Sequence, residues 1–343
     1  MKIARALGIV LILIVVILAA AAAYFVATFD EARIKREAVQ AVKERTGRTL
    51  VIAGDLGLSF WPSLGVKAEK VTLSERDGKE NFVAFESAHV SVRLWPLLSR
   101  QVMVDRIDLD GLVLILKCDA DGRLNIDDLL QSKDDKPGEA GDEPPQGLPQ
   151  FDIAGIDVSN ARLEWHDQQA KRDIVLSPLD FATGRLKSDV QGMSFRDLKF
   201  ATRGKLDSDG VDMKLELPRV ERQGENLAIE KLDLEVKLNG AQRKATGTVT
   251  LDRIEGTLKA HKAASLSLDA NAKLGDKSFT AKLASPLALD LDAGIATLAQ
   301  LRGTVSVDVP GSPKRPLQLP IEAQLESNYR APSASGKVKT KFD

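Results

Sequence analysis

The sequence predicts a mainly β fold behind an N-terminal transmembrane helix. Three observations carry that prediction: an uncharged apolar run near the start, a two-residue alternation of apolar and polar side chains from Arg48 onward, and no second helical segment of domain size. At 343 residues the chain can bury a substantial core.

The first element is the run from Ala6 to Phe29, dominated by Leu, Ile, Val and Ala and without a charge. As a helix it spans about 36 Å, enough to cross a hydrocarbon layer of about 30 Å. The rival reading is a cleaved signal peptide, because Lys2 and Arg5 precede the run and the alanines from Ala19 to Ala23 offer cleavage sites. An anchor is favoured, since signal cores run only about 7–15 residues. Lys and Arg flank both ends, with Arg33, Lys35, Arg36, Lys43 and Arg45 on the far side, so charge alone does not orient the span. A short leader ahead of a long strand-rich domain favours the N-terminus inside.

Next comes an amphipathic juxtamembrane helix over 30–47. Asp30 caps it, Gly47 stops it, and Ile34, Ala38, Ala41 and Val42 form its apolar stripe. From Arg48 the period is two. Val90 and Val92, Leu114 and Leu116, Leu163 and Trp165, Leu234 and Val236, Leu266 and Leu268, and Leu287 and Leu289 alternate with polar neighbours such as Asp233, Glu235 and Lys237. About 18 such strands, joined by turns of the Asn239-Gly240 kind, would stack into a rod about 85 Å long. Segment 131–150, with four prolines, three glycines and five acids, reads as a flexible loop. The expected organisation is therefore an anchor at 1–29, the helix at 30–47, a β region at 48–130, the loop, and continued β structure at 151–343.

Composition excludes several functions. The 48 basic and 49 acidic residues give a net charge of -1, which disfavours a nucleic-acid binder. One cysteine, Cys118, and three histidines disfavour disulfides and metal centres. Asp119 to Asp128 is acidic, but its glycine and its twelfth position do not match a calcium loop. His166 and Asp167 are strand neighbours that face opposite ways. No phosphate loop or nucleophile elbow is present, so no enzyme and no cofactor are expected.

The ordered motifs carry more. Gly47-Arg48 and Gly54-Asp55-Leu56 are followed by Ser59-Phe60-Trp61-Pro62 and Leu94-Trp95-Pro96-Leu97-Leu98. Then come Val104-Asp105-Arg106-Ile107-Asp108-Leu109-Asp110-Gly111, Asp121-Gly122-Arg123 with Asn125, and Asn160-Ala161. Behind an apolar span and a helix, this set resembles the AsmA family of bacterial envelope proteins. The resemblance implies an inner-membrane anchor and a periplasmic domain related to bridge-like lipid transfer proteins, folded as a long antiparallel sheet curled into an open taco-like groove. It also implies phospholipid as partner and a role in outer-membrane lipid homeostasis, or in the assembly of outer-membrane proteins with other envelope proteins.

On pattern alone a closed sandwich explains the alternation; with the resemblance, the groove is favoured. Its expected acyl-chain lining is Val90, Val92, Leu114, Leu116, Leu163, Leu234, Val236, Leu268 and Leu289, with Phe60 and Trp61 near the bilayer surface. The alternative is a scaffold that binds envelope proteins at a sheet edge.

Overall fold

A computed structural model describes residues 30–59, 63–76, 78–93, 103–127, 151–206, 209–257, 259–312, 316–330 and 333–340. The apolar run at 6–29, Phe60, Trp61 and the loop at 131–150 lie outside them. Among the described residues no helix is long and apolar enough to cross a membrane. They form one helix and nineteen strands, and every strand joins a single sheet.

Helix α1, Glu31–Thr46, begins where the Asp30 carboxylate accepts the Arg33 N–H at 3.0 Å and ends at Gly47, whose φ of 73° is left-handed. Its packed side differs from the expected stripe: Ile34 is 39% exposed and Ala41 is exposed, while Ala38, Val39 and Val42 are half-buried. Polar contacts set that rotation. Lys35 Nζ donates to the Gly54 carbonyl at 2.7 Å, and Glu31 accepts the Leu56 N–H at 2.9 Å. A helix tied to a sheet edge by hydrogen bonds need not present its most apolar stripe.

The N-terminal strands are β1 Leu50–Ile52, β2 Leu56–Ser59, β3 Leu64–Ser74, β4 Asn81–Val92, β5 Val104–Asp110, β6 Val113–Cys118, β7 Phe151–Ile153, β8 Ile156–Asp167, β9 Arg172–Thr183 and β10 Leu186–Asp189. A regular meander follows: β11 Gly192–Leu206, β12 Asp209–Gln223, β13 Asn226–Asn239, β14 Arg243–Thr257, β15 Ala260–Leu274, β16 Lys277–Asp290, β17 Ile295–Asp308, β18 Leu317–Asn328 and β19 Ser333–Thr340. Four pairs lie end to end: β1 with β2, β5 with β6, β7 with β8, and β9 with β10. The sheet is thus fifteen strand positions wide, about 67 Å before twist rather than the 85 Å expected.

The sheet is not antiparallel throughout. β5 and β6 run parallel to β8, with Leu109 opposite Val158 and Leu114 opposite Leu163, because the chain crosses over between β6 and β7 instead of turning back. The junction is pinned by side chains. Asp110 Oδ1 accepts Ser159 Oγ–H and Asn160 Nδ2–H, both at 2.8 Å, and Asn160 takes a left-handed φ of 54°.

A second lock closes the N-terminal end. Arg48 is fully buried, its guanidinium 4.7 Å from the Phe82 ring centroid, and Nη2 donates to the Asn125 carbonyl at 2.6 Å. Asn125 Nδ2 donates to Glu75 at 2.8 Å and to the Ile115 carbonyl at 2.9 Å. The motif pieces Gly47-Arg48, Asp110-Gly111, Asn125 and Asn160 therefore act as structural clamps.

Candidate functional site

The candidate site is a face of the sheet. Residues paired across neighbouring strands project to the same side, so the register can be followed from strand to strand. One row runs Leu56, Ala68, Ala88, Leu109, Val158, Phe181, Phe200, Leu215, Leu234, Val249, Leu268, Leu283, Gly303 and Ile321. The row beside it contains Met213, Val236, Gly247, Ala270, Ala281, Val305 and Leu319. The opposite side carries Lys214, Glu235, Thr248, Asp269, Lys282 and Thr304 in register. Its ion pairs are exposed, such as Lys237–Glu235 at 2.8 Å and Lys282–Asp269 at 3.3 Å, and each adds at most about 1 kcal/mol.

The register places all nine expected lining residues on the uncharged side. Val90 pairs with Val66 and Ile107, Val92 with Leu64 and Val104, Leu114 with Val83 and Leu163, and Leu116 with Trp165. Leu289 pairs with His261 and Ala296. Phe60 and Trp61 lie outside the described residues.

No second layer covers this side among the described residues. Val90 is 42% exposed, and the other eight candidates are half-buried. Burial concentrates along one line, at Val220, Ile254, Ala263, Leu301 and Ala323, each 4–7% exposed. Bulges follow the same line: Asp197 and Arg253 have φ of 52° and 47°, and the register shifts at Ala263/Leu266, Ala284/Leu287 and Leu298/Leu301. Bulges bend and twist a sheet, and a bend toward the uncharged side tucks those side chains in. Between β11 and β18 the uncharged face measures roughly 34 Å by 27 Å, on the order of 900 Å².

Polar side chains enter at the margins. At one, Asp209, 4% exposed, binds Arg243, and Lys277 begins β16. At the other, register places Met193, Arg222, Leu227, Gly256, His261 and Leu289 in line, with Ser188 beyond Met193. Sequence reasoning missed Arg222 and His261. Surface depressions of about 580 Å³, lined by Glu255, Lys262, Ala264 and Pro286, and about 240 Å³, lined by Asp180, Arg203, Lys214 and Glu235, are cut chiefly into the charged side, away from the nine candidates.

Isolated reactive groups are engaged locally. Burial raises the Cys118 thiol above its ordinary value, which keeps it protonated. His166 sits on the charged side with Asp173 at 2.9 Å and Glu164 at 3.3 Å; the Asp173 bond, ahead of an opposing burial effect, raises it above the usual imidazole value. Asp119 accepts the N–H groups of Asp121 and Arg123 at 2.8 and 2.9 Å, closing a turn.

The AsmA family model matches residues 1–217, which include the clamps at Arg48, Asp110, Asn125 and Asn160. The chain belongs to the AsmA family. Protein AsmA of Escherichia coli strain K12 is 26% identical over 125 residues, covering 36% of this chain and 20% of that relative. The match thus spans a fifth of the relative's length. No solved structure matches. The family match ends within β12, so the repeated antiparallel strands beyond it rest on their own register.

Proposed function

We propose that the chain is an inner-membrane-anchored periplasmic protein that holds or transfers phospholipids along a trough formed by the uncharged side of its sheet. The observation carrying this reading is the unbroken row from Leu56 to Ile321, which has no charged member and, among the described residues, no covering layer. Water contact with such a face is unfavourable at about 25 cal/mol per Å², so an acyl chain lying there replaces a costly surface. A bend along the bulges at Arg253 and Ala263/Leu266 would give the sheet a floor and two lips, with acyl chains inside and headgroups at a lip. No bond is made or broken. The apolar run at 6–29 supplies the anchor, and α1 leads from it to the sheet.

Photo-crosslinking in native membranes tests this. A benzophenone side chain at position 234 or 268 should yield adducts with the mass of a phospholipid, while one at 235 or 269, on the opposite side, should not. Equal yields from both sides, or none from 234 and 268, defeat the reading.

A second reading, a scaffold for envelope proteins, draws support from β19. It pairs only with β18 among the described residues and leaves Val338 61% exposed, the geometry needed for strand addition. Protein adducts from position 338, without lipid adducts from 234, favour it.

A further inference from the structure

Resting on the phospholipid reading, a further assignment concerns which lip takes the headgroup. From β11 to β19 the uncharged side carries no charge between its margins. Register seats Arg222 on that side at one margin, between Met193 of β11 and Leu227 of β13. Its Nε donates to the Gly224 carbonyl at 3.0 Å, holding the guanidinium at the turn.

Two further polar groups share this margin, and both lack a hydrogen-bond partner. Ser188 is 2% exposed with its Oγ unsatisfied, and His261 has a buried, unsatisfied Nδ1. A buried polar atom left unpaired costs about 1–3 kcal/mol, so two on one margin are a standing demand for a polar ligand. They lie two and three strands from Arg222, about 10 and 14 Å away. Asp189 and Asp292 at neighbouring turns are occupied: Asp189 accepts Lys187 Nζ at 2.6 Å and the Gln191 N–H at 2.9 Å, and Asp292 faces Lys259 at 3.7 Å. Glu225, in the turn that follows Arg222, makes no ion pair with it. At the opposite margin Arg243 is neutralised by Asp209.

We propose that Arg222 binds the phosphate of a phospholipid whose acyl chains lie on the leucine rows, with the margin from Ser188 to His261 as the headgroup lip. A guanidinium fork fits a phosphodiester in two parallel hydrogen bonds, and its charge is strongest beside an apolar floor.

The test uses the full chain in liposomes doped with two probes carrying the same photoactivatable acyl chain, phosphatidylglycerol and diacylglycerol, the latter lacking phosphate. The wild type should be labelled at least fivefold more by phosphatidylglycerol. Arg222→Met and Arg222→Gln should both bring that labelling down to the diacylglycerol level, with diacylglycerol labelling unchanged as the sign that the sheet is intact. Arg222→Lys should retain part of the preference, and Lys277→Met, on the other margin, all of it. Full preference in Arg222→Met, or its loss in Lys277→Met alone, overturns the assignment while leaving the trough standing. Absence of labelling of the wild type by either probe removes the trough itself, and the assignment with it.

Discussion

Arg48 and Asn125 lie 77 residues apart, yet Nη2 of the first donates to the carbonyl of the second at 2.6 Å. Around this bond the end of α1, the end of β3 and the turn after β6 become one unit. Glu75, 11% exposed, stands 3.7 Å from the same guanidinium. Removing the guanidinium strips the Asn125 and Ser74 carbonyls of a buried donor, while Glu75 keeps Lys117 at 3.5 Å and Asn125 Nδ2 at 2.8 Å. Arg48→Met should therefore cost about 3 kcal/mol, and Arg48→Lys less, read as a lower urea midpoint at constant slope.

His166 gives a pH signature. Its folded value lies above the ordinary imidazole value, chiefly through Asp173. Stability from the protonated form is complete below the unfolded value and is lost as pH rises through the folded one. With the imidazole 38% exposed, the effect stays below about 1 kcal/mol. Asp173→Asn should lower the His166 titration midpoint in a carbon-detected NMR titration and flatten the melting temperature between pH 6 and 8. An unmoved midpoint would remove Asp173 as the cause.

The parallel junction depends on Asn160, which holds a left-handed conformation and bonds both Asp110 and Asp180. Asn160→Val should cost about 1–2 kcal/mol from backbone strain alone, whereas Asn160→Gly restores the backbone and loses only the side-chain bonds. The Asn160 and Ser159 bonds hold the Asp110 carboxyl below its ordinary value. Its contribution is therefore present above the unfolded value and is lost as pH falls through the folded one. Thermal melts from pH 6 down to pH 3 should show a smaller acid-induced loss in Asn160→Gly than in the wild type.

Much of the sheet was legible in the sequence because its side chains alternate so cleanly. Asp233, Glu235 and Lys237 between Leu232, Leu234, Val236 and Leu238 already separate the two sides of β13. The parallel junction was not legible: it depends on a crossover between distant strands, to which local periodicity is blind. The margin was hidden for a different reason. Counting by twos from Leu215 and Leu217 puts Arg219 and Glu221 on the uncharged side, but Pro218 has no partner in the register, and the parity flips there. Val220 and Arg222 then join the uncharged side. Ala38 and Val42 of the helix stripe are packed, but Ile34 and Ala41 are exposed, because hydrogen bonds from Glu31 and Lys35 also orient α1.

Whether the uncharged side is an open surface or a packed core decides the account, and paired charge insertions measure it most directly. Leu234 lies half-buried mid-row, whereas Ile254, 7% exposed, lies on the bend. Urea denaturation of the purified full chain should show Leu234→Glu costing less than about 1.5 kcal/mol and Ile254→Glu more than about 4 kcal/mol, because only the second places an unpaired charge in a dry site. Equal, large losses from both substitutions would mean that Leu234 is core and that no lipid-bearing face exists.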